Sequence, residues 1–196
     1  KMGDRLIHRG PDDEGYFQHK DFAMGMRRLS IIDLETGKQP IYSNDGNYVI
    51  VYNGEVYNYS ELRVGLENRG YHFHTETDTE VIVNLYQEKG VDCLHDLNGM
   101  FAFAIYDIDK KSLFIARDRA GEKPLYYGWQ GEGKNKVFLF GSELKALKTH
   151  PVFSGEINRN AIALQLRHNC IPAPYSIYKD IHKLMPGNYL ELKESD

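Results

Sequence analysis

Asn53-Gly54 follows an unbroken apolar and aromatic run, Tyr48 to Tyr52, in a chain of 196 residues. Such a run reads as a strand buried on both faces. Asn-Gly is a turn dipeptide, because both residues tolerate positive φ, so a tight hairpin is one reading. Glu55 to Tyr59, however, do not begin a second alternating strand, and Asn58 and Ser60 look like the start of a helix. The spacing therefore predicts that Asn53-Gly54 sits where a core strand hands over to a helix. The Gly54 N–H and the Asn53 side-chain amide could then point into one site. Two such donors aimed at one point are what acyl transfer needs to stabilise a developing oxyanion.

Two further residues carry charge that local structure does not explain. Phe22 to Asp33 is strand-like, and alternation puts Met24, Met26 and Arg28 on one face and Ala23, Gly25 and Arg27 on the other. A guanidinium among apolar neighbours suits a bidentate grip on a carboxylate; the plainer alternative is a surface salt bridge. Thr77-Asp78-Thr79-Glu80 precedes an apolar helical stripe, and Thr77 with Glu80 fits a capping box. Asp78 is left over: the helix dipole favours an acid there, and it is also free to bind a ligand ammonium. His8 to Gly15 reads as a polar loop with turn chemistry at Gly10-Pro11. His72 and His74 share a face of a short alternating stretch, Tyr71 to Thr75, that reads as a strand, but no third ligand stands at useful spacing and no metal is expected.

The elements that must position these residues follow from the remaining pattern. Helices are expected from about Ser60 to Arg69 and from Thr77 to Gly90. Met100 to Asp107 alternates large and small side chains, as in a strand packed between a core and a close second layer, and Leu113 to Ala116 returns as its partner. Leu125 to Tyr127 pairs with Val137 to Phe140. Ser142 caps a short helix, Glu143 to Lys148; Asn158 or Asn160 opens another, reaching His168; and Asn188 to Lys193 is a last strand. Helices bunched between runs of strands argue an α+β fold with sheet packed on sheet and helices outside. The formal net charge of −4 is mixed along the chain, with no basic patch interleaved with aromatics, so nucleic acid is not an expected partner. No apolar run approaches membrane-spanning length and these residues contain no signal peptide. Cys93 and Cys170 have no CxxC spacing and read as reduced thiols of a cytoplasmic protein.

Seven motifs in order make up a family pattern. They are His8-Arg9-Gly10-Pro11-Asp12, Arg28-Leu29-Ser30-Ile31-Ile32-Asp33, Tyr52-Asn53-Gly54-Glu55-Val56-Tyr57-Asn58 and Thr77-Asp78-Thr79-Glu80. Then come Asn98-Gly99-Met100-Phe101-Ala102-Phe103-Ala104, Ala116-Arg117-Asp118-Arg119 and Gly141-Ser142-Glu143-Leu144-Lys145-Ala146-Leu147. Together they closely resemble the glutaminase domain of glutamine-hydrolysing asparagine synthetases, class II glutamine amidotransferases of the N-terminal-nucleophile hydrolase type. The resemblance implies a four-layer αββα sandwich of two antiparallel sheets, and release of ammonia from glutamine through a thioester to an N-terminal cysteine whose own amine is the base. It implies Asn53 and Gly54 as the oxyanion hole, Arg28 on the substrate α-carboxylate, and Asp78, helped by Glu55, on the α-ammonium. Residues 1–157 would be the glutaminase domain and 158–196 the segment leading toward an ATP-dependent synthetase domain. No cofactor is implied for the glutaminase domain itself; ATP and Mg2+ belong to the synthetase domain, and a homodimer fits the family. One departure stands out. The chain begins at Lys1, and the opening strand bearing Cys-Gly, the family's nucleophile, is not among these residues, so this polypeptide is expected to bind glutamine without hydrolysing it alone. An amidotransferase with another acceptor, and a non-catalytic binding module on the same fold, remain alternatives.

Overall fold

A computed structural model describes residues 1–29 and 37–193. A 3-10 turn, Gly3–Arg9, leads into a hairpin of β1 (Asp13–His19) and β2 (Phe22–Arg28). After β3 (Ile41–Tyr42) come β4 (Tyr48–Val56), α1 (Tyr59–Glu67), α2 (Asp78–Lys89), β5 (Gly99–Asp107) and β6 (Ser112–Arg117). β7 (Tyr126–Gln130), β8 (Val137–Gly141), α3 (Leu144–Leu147), α4 (Arg159–His168), β9 (Ile181–Lys183) and β10 (Tyr189–Lys193) complete the order. β10-β6-β5-β4-β3 form one antiparallel sheet, and β1-β2 and β8-β7-β9 form two smaller antiparallel pieces.

Alternation along β5 decides how these pieces stack. Phe101, Phe103 and Ile105 face α1 and α2, packing with Ile50, Tyr52 and Val56 of β4 and Val81, Ile82 and Leu85 of α2. Ala102 and Ala104 face the other way with Val49, Val51 and Ile115, against Phe17 and Met24 of the hairpin and, at the margin, Tyr127, Phe138 and Phe140. A third cluster, Leu139, Ala146, Leu147 and Ile181, joins the outer face of the β7–β9 piece to α3 and the opening turn. The result is four layers: helices, sheet, sheet, helices. The five-stranded sheet is apolar on both faces, which accounts for strands as uninterrupted as Tyr48 to Tyr52. The later residues 158–193 are woven into both sheets, β9 beside β7 and β10 beside β6.

Several local expectations hold. Asn158 caps α4, its Oδ1 accepting from the N–H of Asn160 and Ala161. Thr77 Oγ1 accepts from the Glu80 N–H at 3.4 Å at the start of α2. Others need correction. The strand β4 does not end at Asn53-Gly54 but runs on to Val56, paired with β5 throughout. Tyr71 to Thr75 forms no strand; the His74 and Thr75 N–H groups are taken up by the Glu80 carboxylate at 2.7–3.2 Å. Glu80 therefore reaches past the cap residue of the expected box and ties the incoming loop to the helix start. α3 is preceded by Glu143 at the cap position, one residue later than the expected Ser142. The Ser30-to-Asp33 part of the second motif lies outside the described residues.

Candidate active site

Gly54 shows why β4 continues. A Cβ there would lie 2.2 Å from the Met100 carbonyl oxygen and 2.7 Å from Phe101 Cα. Only glycine fits so close an approach between strands. Phe101, opposite Gly54, turns both backbone groups toward Asp118: its N–H donates to Asp118 Oδ2 at 3.2 Å and its carbonyl accepts from the Asp118 N–H at 2.8 Å. Gly54 and Phe101 are therefore a non-hydrogen-bonded pair, and the Gly54 N–H points away from β5. Its neighbours of the same parity show where that leads. The Tyr52 N–H donates to Gln39 Oε1 at 2.7 Å, and the Val56 N–H donates to Asp78 Oδ2 at 3.0 Å. The Gly54 N–H thus lies along the outer edge of β4, between these two bonds.

Asn53 alternates with Tyr52, so its side chain shares the face of Val49 and Val51, above the small side chains of Ala102 and Ala104. Those alanines leave room for a cleft of about 970 Å3 between the layers. Arg28, Asn53, Gly54, Glu55 and Asp78 all line it. These are the five residues that the resemblance assigned to the oxyanion hole and the substrate grip; His72 and His74 do not line the cleft. The Asn53 Nδ2 is buried and has no hydrogen-bond partner among the described residues. A buried amide donor in that condition is uncommon and calls for a ligand or water acceptor.

Arg28 is 7% exposed at the end of β2. The neighbouring Arg27 pairs with Glu14 and Asp4. Alternation thus places the two arginines on opposite faces of β2, although both line the cleft. The backbone at Arg28 is held by the Gly10-Pro11-Asp12 segment: the Asp12 N–H donates to the Arg28 carbonyl at 3.1 Å, and a Cβ on Gly10 would lie 2.5 Å from the Arg28 nitrogen. A segment that reads as a surface turn in the sequence is a brace for a cleft residue.

Asp78 is 6% exposed at the first position of α2. Burial raises its pKa above the ordinary carboxylate range, and this is only partly offset by hydrogen bonds from the Tyr52 hydroxyl and the Val56 and Thr79 N–H groups. Gln39 and Tyr52 also line the cleft, and sequence reasoning missed both. Gln39 bridges β4 and α2, accepting from Tyr52 and donating from Nε2 to Thr79 Oγ1 at 3.3 Å. Nothing in the local pattern around Gln39 could have indicated that role.

Neither cysteine lines the cleft. Cys93 is buried in the helix-side core, where burial, with lesser help from Asp96 and Asp92, pushes its thiol up to about 12. Cys170 is exposed beyond α4. No group of three His, Cys, Asp or Glu side chains among the described residues is arranged to hold a metal ion. No helix among them is long and apolar enough to cross a membrane.

A family profile for the glutamine amidotransferase domain matches residues 1–196. The chain belongs to this glutamine amidotransferase domain family. The amidotransferase domain is 39% identical over 193 residues to asparagine synthetase 1 (glutamine-hydrolysing) of Bacillus subtilis, covering 98% of this chain and 30% of that protein. It is 46% identical over 142 residues to asparagine synthetase B (glutamine-hydrolysing) of Escherichia coli, covering 72% of this chain and 25% of that protein. The chain thus spans less than a third of the length of either relative. Among solved structures it is similar to one described as the allosteric regulatory enzyme of purine biosynthesis, with a TM-score of 0.63 and 22% identity, covering 88% of this chain and 33% of that one. That likeness agrees with the four-layer amidotransferase sandwich described above.

Proposed function

We propose that this amidotransferase domain binds glutamine in the cleft between its two sheet layers and supports hydrolysis of the side-chain amide. The observation that carries this reading is the unpartnered, buried Asn53 Nδ2 on the cleft face, next to a Gly54 N–H directed along the strand edge. Such a pair supplies two donors for the oxyanion formed when a nucleophile attacks the amide carbon. The charged residues match the two ends of an amino acid: Arg28 offers a guanidinium to the α-carboxylate, and Asp78, with Glu55 nearby, offers negative charge to the α-ammonium. The thiol nucleophile that the family resemblance implies is neither Cys93 nor Cys170, since neither lines the cleft. Attack on the amide gives a tetrahedral intermediate, its collapse expels ammonia, and water then releases glutamate from the thioester. Within a longer protein, the ammonia would serve asparagine synthesis, as the relatives' names suggest; ATP and Mg2+ would belong to the synthetase domain that the resemblance implies.

The test is a glutaminase assay on the full-length protein, with glutamate and ammonia measured together. Stoichiometric release of both supports the reading. A full-length protein that binds glutamine without releasing ammonia would make the domain a binding module.

A further inference from the structure

Asp78 is held from β4 by the Tyr52 hydroxyl, to which the reading of the site so far gives no part. Tyr52 is 5% exposed, its ring packed in the helix-side core with Ile50 and Val56. Its hydroxyl donates to Asp78 Oδ2 at 2.7 Å, and the same oxygen accepts from the Val56 N–H at 3.0 Å. The Tyr52 backbone reaches the same helix start by a second route, through Gln39 to Thr79. Tyr52, Gln39, Thr79 and Asp78 therefore close a ring of contacts around the entry of α2. Asp78 Oδ2 is fully occupied by two protein donors.

We propose that Tyr52 is a positioning residue of the glutamine site: its hydroxyl fixes the Asp78 carboxylate in the orientation that meets the substrate ammonium. This rests on the reading of Asp78 as the ammonium ligand. The electrostatics agree. The groups acting on Asp78 are the Tyr52 hydroxyl and the Val56 and Thr79 N–H groups, which favour the anion, and Glu55, which opposes it. Burial, together with the Asp78 charge, also raises the Tyr52 pKa, so the phenol remains a donor at every working pH. Losing the hydroxyl removes a charge-assisted bond from an already disfavoured carboxylate, and the loss weighs more as pH falls.

The experiment uses the full-length protein with Tyr52→Phe, Asp78→Asn and the double substitution, following glutamine hydrolysis across the pH range and the melting temperature of each variant. Phenylalanine keeps the ring and its packing. Tyr52→Phe should raise the glutamine KM roughly 10-fold with kcat nearly unchanged, and should move the acid limb of kcat/KM to higher pH. Asp78→Asn should raise KM further, and the double variant should be no worse than Asp78→Asn, because the two residues act as one unit. A normal KM in Tyr52→Phe beside a raised KM in Asp78→Asn overturns the positioning role alone. A normal KM in both overturns the assignment of Asp78 itself. A drop in kcat that tracks a lowered melting temperature, with KM unmoved, shows that the hydroxyl serves only the fold and also overturns the proposal.

Discussion

Asn53 and Asp78 face the same cleft with opposite histories of satisfaction. The Asp78 carboxylate is already bonded from β4, whereas the buried Asn53 amide nitrogen has no acceptor among the described residues. Their replacements should therefore read out differently. Asn53→Ala in the full-length protein should lower kcat for glutamine hydrolysis by roughly 10²–10³-fold and leave KM nearly unchanged, since the donor acts only on the developing oxyanion. Asp78→Ala should weaken glutamine binding by about 2–5 kcal/mol, seen as a raised KM, while synthesis from added ammonia continues nearly unchanged. Acid should weaken glutamine use earlier than a surface aspartate would allow. Burial raises the folded-state pKa of Asp78, so protonation removes the anion at a higher pH than usual. At this scale the sequence was partly legible. Spare charge at Arg28 and Asp78 and paired donors at Asn53-Gly54 could be read from residue type and spacing. The deeper burial of Arg28 could not, because burial depends on which face of β2 meets the core. Gln39 was invisible, since its partners Tyr52 and Thr79 become neighbours only through the tertiary fold.

Among the elements, strands with two apolar faces were the easiest to read, and half-exposed ones the hardest. The phenylalanine–alanine alternation of β5 named both of its layers in advance. β1 was missed because its residues are mostly polar or exposed, and its pairing with β2 is what makes it a strand. Asn53-Gly54 misled for a definite reason: glycine there serves a close strand approach at ordinary strand geometry, not a turn. Gly54→Ala should therefore leave the protein unfolded or strongly destabilised in thermal melts, because its Cβ would collide with the β5 backbone. Glu143 joins His8, Arg9 and Lys145 at the start of α3. Partial burial would raise its pKa, but hydrogen bonds from His8, Lys145 and Arg9 outweigh it and bring it down to about 2 from 4.5. The stability this cluster contributes is present above the ordinary value and is lost as pH falls through about 2. Glu143→Gln should flatten that part of the stability–pH curve in acid denaturation.

For the molecule as a whole, the two middle layers are unequal. Among the described residues the five-stranded sheet is continuous, whereas the opposite layer comprises two pieces, β1-β2 and β8-β7-β9, that share no ladder with each other. Amide exchange in the full-length protein should be slowest in β4, β5 and β6 and faster in the β1-β2 hairpin. Uniform protection across both layers would contradict this ordering. The four-layer class was legible because the apolar runs demanded cover on both sides. The division of the second layer was not, because strand pairing between distant segments leaves no local trace.

Cys93 and Cys170 give the fold an internal counter. One thiol sits on the surface; the other is buried in the helix-side core, where burial raises its pKa. An alkylating reagent meets a thiolate poorly in the buried site. Of these two positions, the native domain should take up a mass tag only at Cys170. A tag on Cys93 would then record each time the helical layer lifts from the sheet, so mass spectrometry could time that opening without any engineered probe.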